Sequence, residues 1–165
     1  MLEGTLLMVL CVAQTASLSP TLPPTITTPT TPTPNVTTPN NQPTAAPVDN
    51  YVKIGAFNIQ SFGKTKYSRK DVRDYLIQIV TKYDAVMIQE IKDKSQVMIH
   101  DFLADCQLHR NYSMALSKRL GRSRYMEQYA LFYDQDKLAV KKQEEYPDPQ
   151  DIFHREPLVV HLSEK

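Results

Sequence analysis

The sequence predicts an α/β fold, a layered α/β sandwich built from residues 51–165. Three observations predict it. A β-branched and aromatic run around Phe57, an amphipathic helical stretch and a continuous apolar run at Ala85-Val86-Met87-Ile88 follow one another, the order of a parallel crossover unit. Beyond them the chain turns to short strand patterns, which favours layers over a helical bundle. Finally, 9 of the 12 prolines fall between Pro20 and Pro47, so the segment that can pack separates from the one that cannot.

The amino-terminal fifty residues are a different material. Residues 5–13 form an apolar run followed by the small residues Ala16 and Ser17, the pattern of a signal-peptide core and cleavage site, so 1–17 is expected to direct export. The run is too short for a bilayer span, which takes about 20 apolar residues, and no stable membrane insertion is expected. Residues 18–50 are dominated by Thr and Pro, with Asp49 their only charge. They lack the apolar surface to offset the entropy of ordering and are expected to form a disordered stalk. Asn35-Val36-Thr37 and Asn111-Tyr112-Ser113 are N-glycosylation sequons, marking Asn35 and Asn111. The implied route is through the endoplasmic reticulum to the outside, with delivery to a nucleus left open. Cys11 would leave with the signal peptide, so Cys106 is expected either as a buried thiol or as one whose partner lies outside this chain.

All 19 Lys and Arg and 16 of the 18 acids lie beyond residue 50, a small positive excess. That excludes a histone-like field; a polyanion would have to be held by local clusters.

Each element has its own warrant. Residues 52–59 read as a strand closed by Ser61 and Gly63. Ser68 with Asp71 resembles a capping box, and Val72, Tyr75, Leu76, Ile79 and Val80 recur at helical spacing as one buried face. The run 85–88 suits a strand buried on both sides. A second helix is expected over 95–106 with Val97, Met98, Phe102 and Leu103 inward, then strands at 112–116, 129–133, 138–141 and 158–162.

In open α/β sheets ligands sit beyond the carboxyl ends of the strands. The first strand here ends in Asn58 and the second in Gln89-Glu90. A carboxylate directly after four apolar residues needs a partner, and a hard cation held by oxygens is one candidate, a solvent-facing strand end the plainer one. The stretch 117–129 packs Lys118, Arg119, Arg122, Arg124, Tyr125 and Glu127 into one turn, suited to phosphates or simply a solvated hairpin. Phe153-His154-Arg155-Glu156-Pro157 offers an arginine able to take phosphate bidentately, or a surface turn.

Taken together, Ala56-Phe57-Asn58-Ile59-Gln60-Ser61-Phe62-Gly63, Ile88-Gln89-Glu90-Ile91-Lys92-Asp93, Leu120-Gly121-Arg122 leading to Tyr125-Met126-Glu127-Gln128-Tyr129-Ala130, and Phe153-His154-Arg155-Glu156-Pro157-Leu158-Val159-Val160 resemble the deoxyribonuclease I family in order and spacing. The resemblance covers essentially all of 51–165 and implies that family's type of sandwich, truncated to about its first half. It implies a secreted endodeoxyribonuclease dependent on Mg²⁺ and Ca²⁺ that hydrolyses the phosphodiester bonds of double-stranded DNA by in-line attack of water, leaving a 5′-phosphate. By the same resemblance Asn58 and Glu90 match the metal and phosphate residues, and Glu127 the carboxylate that orients a catalytic histidine. Arg155 matches a phosphate contact, Tyr125 a deoxyribose contact, and Lys92 stands where several members carry Arg. Arg122 and Arg124 complete the expected DNA-binding set.

The family's general acid and base histidines, its Asp-x-Asn motif and its terminal Asp-His have no match here, and His100, His109, His154 and His161 sit outside the family's histidine contexts. The expectation is therefore a fragment lacking the catalytic histidines, with one sheet face open to a protein partner; whether the actin binding of some members persists is left open. Two other classes compete. One is a catalytically dead interaction or DNA-binding protein. The other is a phospholipid or inositol-phosphate hydrolase of the wider endonuclease/exonuclease/phosphatase superfamily, against which the 120–130 and 153–160 segments stand.

Overall fold

The computed structural model describes residues 5–9 and 51–165. The stalk 18–50, the sequon at Asn35 and most of the 1–17 segment lie outside the described residues. Thr5–Val9, within the apolar run expected as the signal-peptide core, is strand β1, and it adds antiparallel to the last strand from Thr5↔Ser163 to Val9↔Val159.

The crossover unit forms as the spacing predicts. Strand β2 (Ile54–Phe62) runs parallel to β3 (Ala85–Ile91), in register from Ile54↔Ala85 to Asn58↔Gln89. Between them lie a one-turn helix α1 (Lys64–Tyr67) and α2 (Lys70–Val80). Helix α3 (Val97–Gln107) follows, then β4 (Tyr112–Leu116), β5 (Gln128–Asp134), β6 (Leu138–Glu145) and β7 (Leu158–Glu164). The order β2-β3-β5-β4 makes one sheet and β1-β7-β6 a second.

Strand alternation sorts the core into two clusters. Ile59, Val86, Ile88, Ala130 and Phe132 face the helices, where they meet Leu76, Ile77, Val80, Met98, Ile99 and Phe102. Phe102 is the hub of this layer, edge-on to Phe62 at 5.2 Å and to Phe132 at 5.6 Å. Such a fully buried aromatic contributes on the order of 2–3 kcal/mol. On the other face Met87, Tyr129 and Leu131 pack on Leu138, Leu158, Val160 and Leu162 of the second sheet. The open inner face expected of half a sandwich is therefore largely closed, because β6 and β7 supply a second sheet from within this chain. What stays exposed is the β2 margin, at Ile54 and Ala56.

Three local expectations are corrected. The Ser68 capping box does not form: Ser68 closes α1, its hydroxyl donates to the Thr65 carbonyl at 3.0 Å, and Arg69 takes the N-cap of α2 without a side-chain bond. The buried stripe of α2 takes in Ile77, and Tyr75 is 68% exposed. Likewise Val97 faces water while Ile99 and Cys106 are buried. Helix α3 is anchored from outside, since the buried Asp93 carboxylate accepts the Met98 N–H at 2.9 Å and the Ser95 hydroxyl at 2.9 Å. Cys106 is a buried thiol, pushed up to about 12 by burial and by the neighbouring Asp105 carboxylate.

At the amino ends of β2 and β3 an ion network closes the sheet. Asp84, 2% exposed, accepts the Lys53 N–H at 2.7 Å and the Arg110 guanidinium at 2.6 Å, with Lys137 at 3.1 Å. Arg110 also bonds Asp134, so each buried carboxylate in this group is compensated. No helix among the described residues is long and apolar enough to cross a membrane.

Candidate active site

Because β2 and β3 are parallel, their carboxyl ends lie side by side, opposite the Asp84–Arg110 network. Both strands lose register there, between Asn58 and Phe62 on β2 and between Ile88 and Ile91 on β3. In this break Gln60 (φ 47°), Ser61 (φ 56°) and Glu90 (φ 59°) take left-handed backbone conformations. Each costs about 1 kcal/mol or more in a non-glycine residue and persists only where surrounding bonds hold it.

Those bonds converge on Glu90. The Asn58 side-chain amide donates to Glu90 Oε1 at 2.9 Å, and the Ser61 N–H donates to Oε2 at 2.8 Å. Asn58 Oδ1 accepts the Gln60 N–H at 2.7 Å, and Lys66 of α1 donates to the carbonyls of Ile59, at 2.7 Å, and Gln60. Burial opposes the charge on Glu90. The Asn58 and Ser61 donors and the nearby Lys92 and Arg155 cations outweigh it and hold the carboxyl below its usual range.

A second carboxylate stands behind the first. Glu127, 6% exposed, sits where Leu120 and Glu127 exchange backbone hydrogen bonds at 2.8 and 2.9 Å, closing the turn that leads into β5. Its Oε1 lies 3.4 Å from Lys92 Nζ and 3.2 Å from Arg155 Nη2. Lys92 also donates to the Ser61 hydroxyl at 2.9 Å, which ties the Glu127 site to the Glu90 site. Arg155 also donates to the Tyr125 carbonyl at 3.3 Å. Gly121, at φ 129°, permits this approach: a Cβ there would lie 3.2 Å from the Tyr125 carbonyl oxygen and 3.7 Å from Arg155 Nε.

The structure thus brings Asn58, Glu90, Lys92, Glu127 and Arg155 into one connected group. Tyr125 stands at its edge, 64% exposed, with the Arg124 guanidinium 5.4 Å from its ring centroid. Arg122 is engaged elsewhere, with Asp151 and the Phe153 carbonyl. Among the described residues no histidine is a partner of Glu127, and His161 instead lies 4.0 Å from Glu144. Asn111 is exposed, and its amide donates to Asp136 at 2.7 Å. Sequence reasoning missed Ser61 and Lys66; a serine and a lysine in a polar turn carry no signal until the strand break turns Ser61 N–H and the Gln60 carbonyl toward their partners.

The donor set suits a hard divalent cation. Glu90 is anionic, each of its oxygens keeps a lone pair beyond its one hydrogen bond, and one or two such oxygens beside retained water suffice for such an ion. No group of three or more His, Cys, Asp or Glu able to hold a metal occurs among the described residues, so protein ligation would be sparse.

A two-sheet α/β sandwich with an acid–amide pair at the strand ends and cations beside it is the class that fold and site define together. No family model matches the chain. Individual proteins do: deoxyribonuclease-1-like 2 of Mus musculus is 39% identical over 116 residues, covering 68% of this chain and 41% of that protein. Deoxyribonuclease gamma of Homo sapiens is 36% identical over 119 residues (66% and 38%), and deoxyribonuclease-1 of Bos taurus 36% identical over 119 residues (68% and 42%). The chain spans about two fifths of the length of these curated relatives. It is related to the deoxyribonuclease I family.

Proposed function

We propose that this chain carries the metal- and phosphate-holding part of a divalent-metal-dependent endodeoxyribonuclease acting on double-stranded DNA. The observation that supports this most is the ionised Glu90, fixed by Asn58 and the Ser61 N–H with Lys92 and Arg155 beside it. One carboxylate and two cations in one place can hold a cation and a phosphodiester together. Mg²⁺ or Ca²⁺ held by Glu90 and the Asn58 carbonyl oxygen would supply Lewis-acid polarisation of a phosphoryl oxygen. Arg155, already oriented by Glu127, would take a second phosphate oxygen. Tyr125 and Arg124, exposed on the turn, would lie against the sugar and backbone of the duplex.

Export fits the same reading, with 1–17 as signal peptide, 18–50 as a glycosylated stalk and Asn35 and Asn111 as glycan acceptors. Removal of 1–17 would take β1 with it and bare the edge of β7. A second reading, a catalytically inert DNA-binding protein, is favoured by one observation: Glu127 is held by Lys92 and Arg155 where the family resemblance implies a histidine.

Supercoiled plasmid separates the two. Nicking in Mg²⁺ and Ca²⁺ that is abolished by EDTA and by Glu90→Gln supports the nuclease. DNA retention without nicking, indifferent to EDTA, supports the inert binder.

A further inference from the structure

Arg122 and Arg155 reach in opposite directions across the same gap. Arg122, in the turn between Leu120 and Glu127, donates from Nη2 to the carbonyls of Asp151 and Phe153, the latter at 3.0 Å, and lies 3.0 Å from Asp151 Oδ1. Arg155 returns the contact, from Nη2 to the Tyr125 carbonyl at 3.3 Å and to Glu127 at 3.2 Å. Each segment is held by the other's arginine.

The loop that receives Arg122 is shaped for it. The Asp148 carboxylate accepts the N–H groups of Ile152 at 2.9 Å and Phe153 at 2.7 Å, and the Asp148 carbonyl accepts the Asp151 N–H at 3.0 Å. Asp151 is left-handed at φ 51°, and the Tyr146 and Phe153 rings meet edge-on at 6.0 Å. With these N–H groups satisfied inside the loop, the carbonyls of Asp151 and Phe153 and the Asp151 carboxylate give the planar guanidinium three acceptors on one short segment. A single exposed ion pair is worth little; three acceptors converging on one terminal nitrogen define a position. All three contacts converge on Nη2, while the side chain as a whole stays 46% exposed.

We propose that Arg122 is a positioning residue that clamps the 148–155 loop and so sets Arg155 beside Glu127. The consequence for DNA rests on the nuclease reading; the clamp does not.

The test uses the full chain with Arg122→Ala, Arg122→Lys, Asp151→Asn and the Arg122→Ala/Asp151→Asn double variant. It measures amide hydrogen exchange over 148–156 and the salt dependence of binding to a fluorescein-labelled DNA duplex in Mg²⁺. For a clamp, the Ile152 and Phe153 amides exchange about fivefold faster in both Ala and Asn variants, Lys fails to restore them, and the double variant is no worse than either single one. Duplex binding then weakens in Arg122→Ala and Asp151→Asn alike. Unchanged exchange, with Arg122→Ala lowering the slope of log affinity against log salt by about 0.9 and Asp151→Asn strengthening binding, overturns the proposal. A wild-type chain that binds no DNA defeats the nuclease reading alone, since exchange still decides the clamp.

Discussion

Asn58 donates its side-chain amide to Glu90 Oε1 at 2.9 Å across the carboxyl ends of two parallel strands, and this bond joins the break in β2 to the break in β3. It also stabilises the charged form of the carboxylate in a place where burial works against it. Asn58→Ala removes the donor, so the Glu90 carboxyl rises toward its ordinary value. An NMR titration of the side-chain carboxyl carbon reads this directly, and an unmoved titration would show that the Ser61 N–H and the cations suffice alone.

Glu127 holds two cations, Arg155 in a nearly dry position, with side chains 8% and 13% exposed, and Lys92 in a more open one at 40%. Glu127→Ala leaves Arg155 without its counter-charge and lowers stability by about 3–5 kcal/mol, the range for breaking a buried pair from one side. Glu127→Gln, which keeps an acceptor, costs about half as much. Urea denaturation with near-UV circular dichroism distinguishes them; equal losses would mean that shape rather than charge matters.

The Asp84 network predicts the acid behaviour. Burial opposes the Asp84 charge, but Arg110, the Lys53 N–H and Lys137 prevail, and the folded carboxyl lies below its usual range. A depressed folded value means a stabilisation that is complete above the unfolded value of about 4 and lost as pH falls through the folded one. Asp84→Asn is expected to lower stability at pH 7 by about 3 kcal/mol and to flatten the decline between roughly pH 5 and pH 2. Urea midpoints across that range check both statements, and parallel declines would remove Asp84 from the account.

Glycines 121 and 63 make a matched pair. Gly121→Ala meets the Tyr125 carbonyl oxygen at 3.2 Å with φ at 129°, and is expected to cost about 1–3 kcal/mol. At Gly63 a Cβ would meet nothing within 4 Å, so Gly63→Ala stays within about 0.5 kcal/mol of wild type. Thermal unfolding of the two variants side by side is the measurement; equal shifts would show that the turn at Gly121 relaxes.

Much of the fold was legible because hydrophobic period maps directly onto burial. The four apolar residues 85–88 became the buried first half of β3, and residues 112–116 were bounded as β4. Asn58 and Glu90 were legible as the ends of adjacent strands and through the family resemblance, whereas the bond between them was not, since the sequence offered a cation or solvent as the partner of Glu90. What escaped was set by neighbours distant in sequence: Tyr75 faces water because Ile77 packs instead, and Ser68 serves α1 because a one-turn helix precedes α2. Arg122 read as one more cation in a basic turn, since nothing near it in sequence announces Asp151, 29 residues on.

The central claim is that Glu90, set by Asn58, holds a divalent cation beside a DNA phosphate. Fluorescence anisotropy of a short labelled duplex, with wild-type chain and Glu90→Gln, each in Mg²⁺ with Ca²⁺ and again in EDTA, tests it most directly. The account predicts binding by the wild-type chain in the divalent cations, lost in EDTA and lost in Glu90→Gln although that variant remains folded. Binding that survives both EDTA and Glu90→Gln would contradict it.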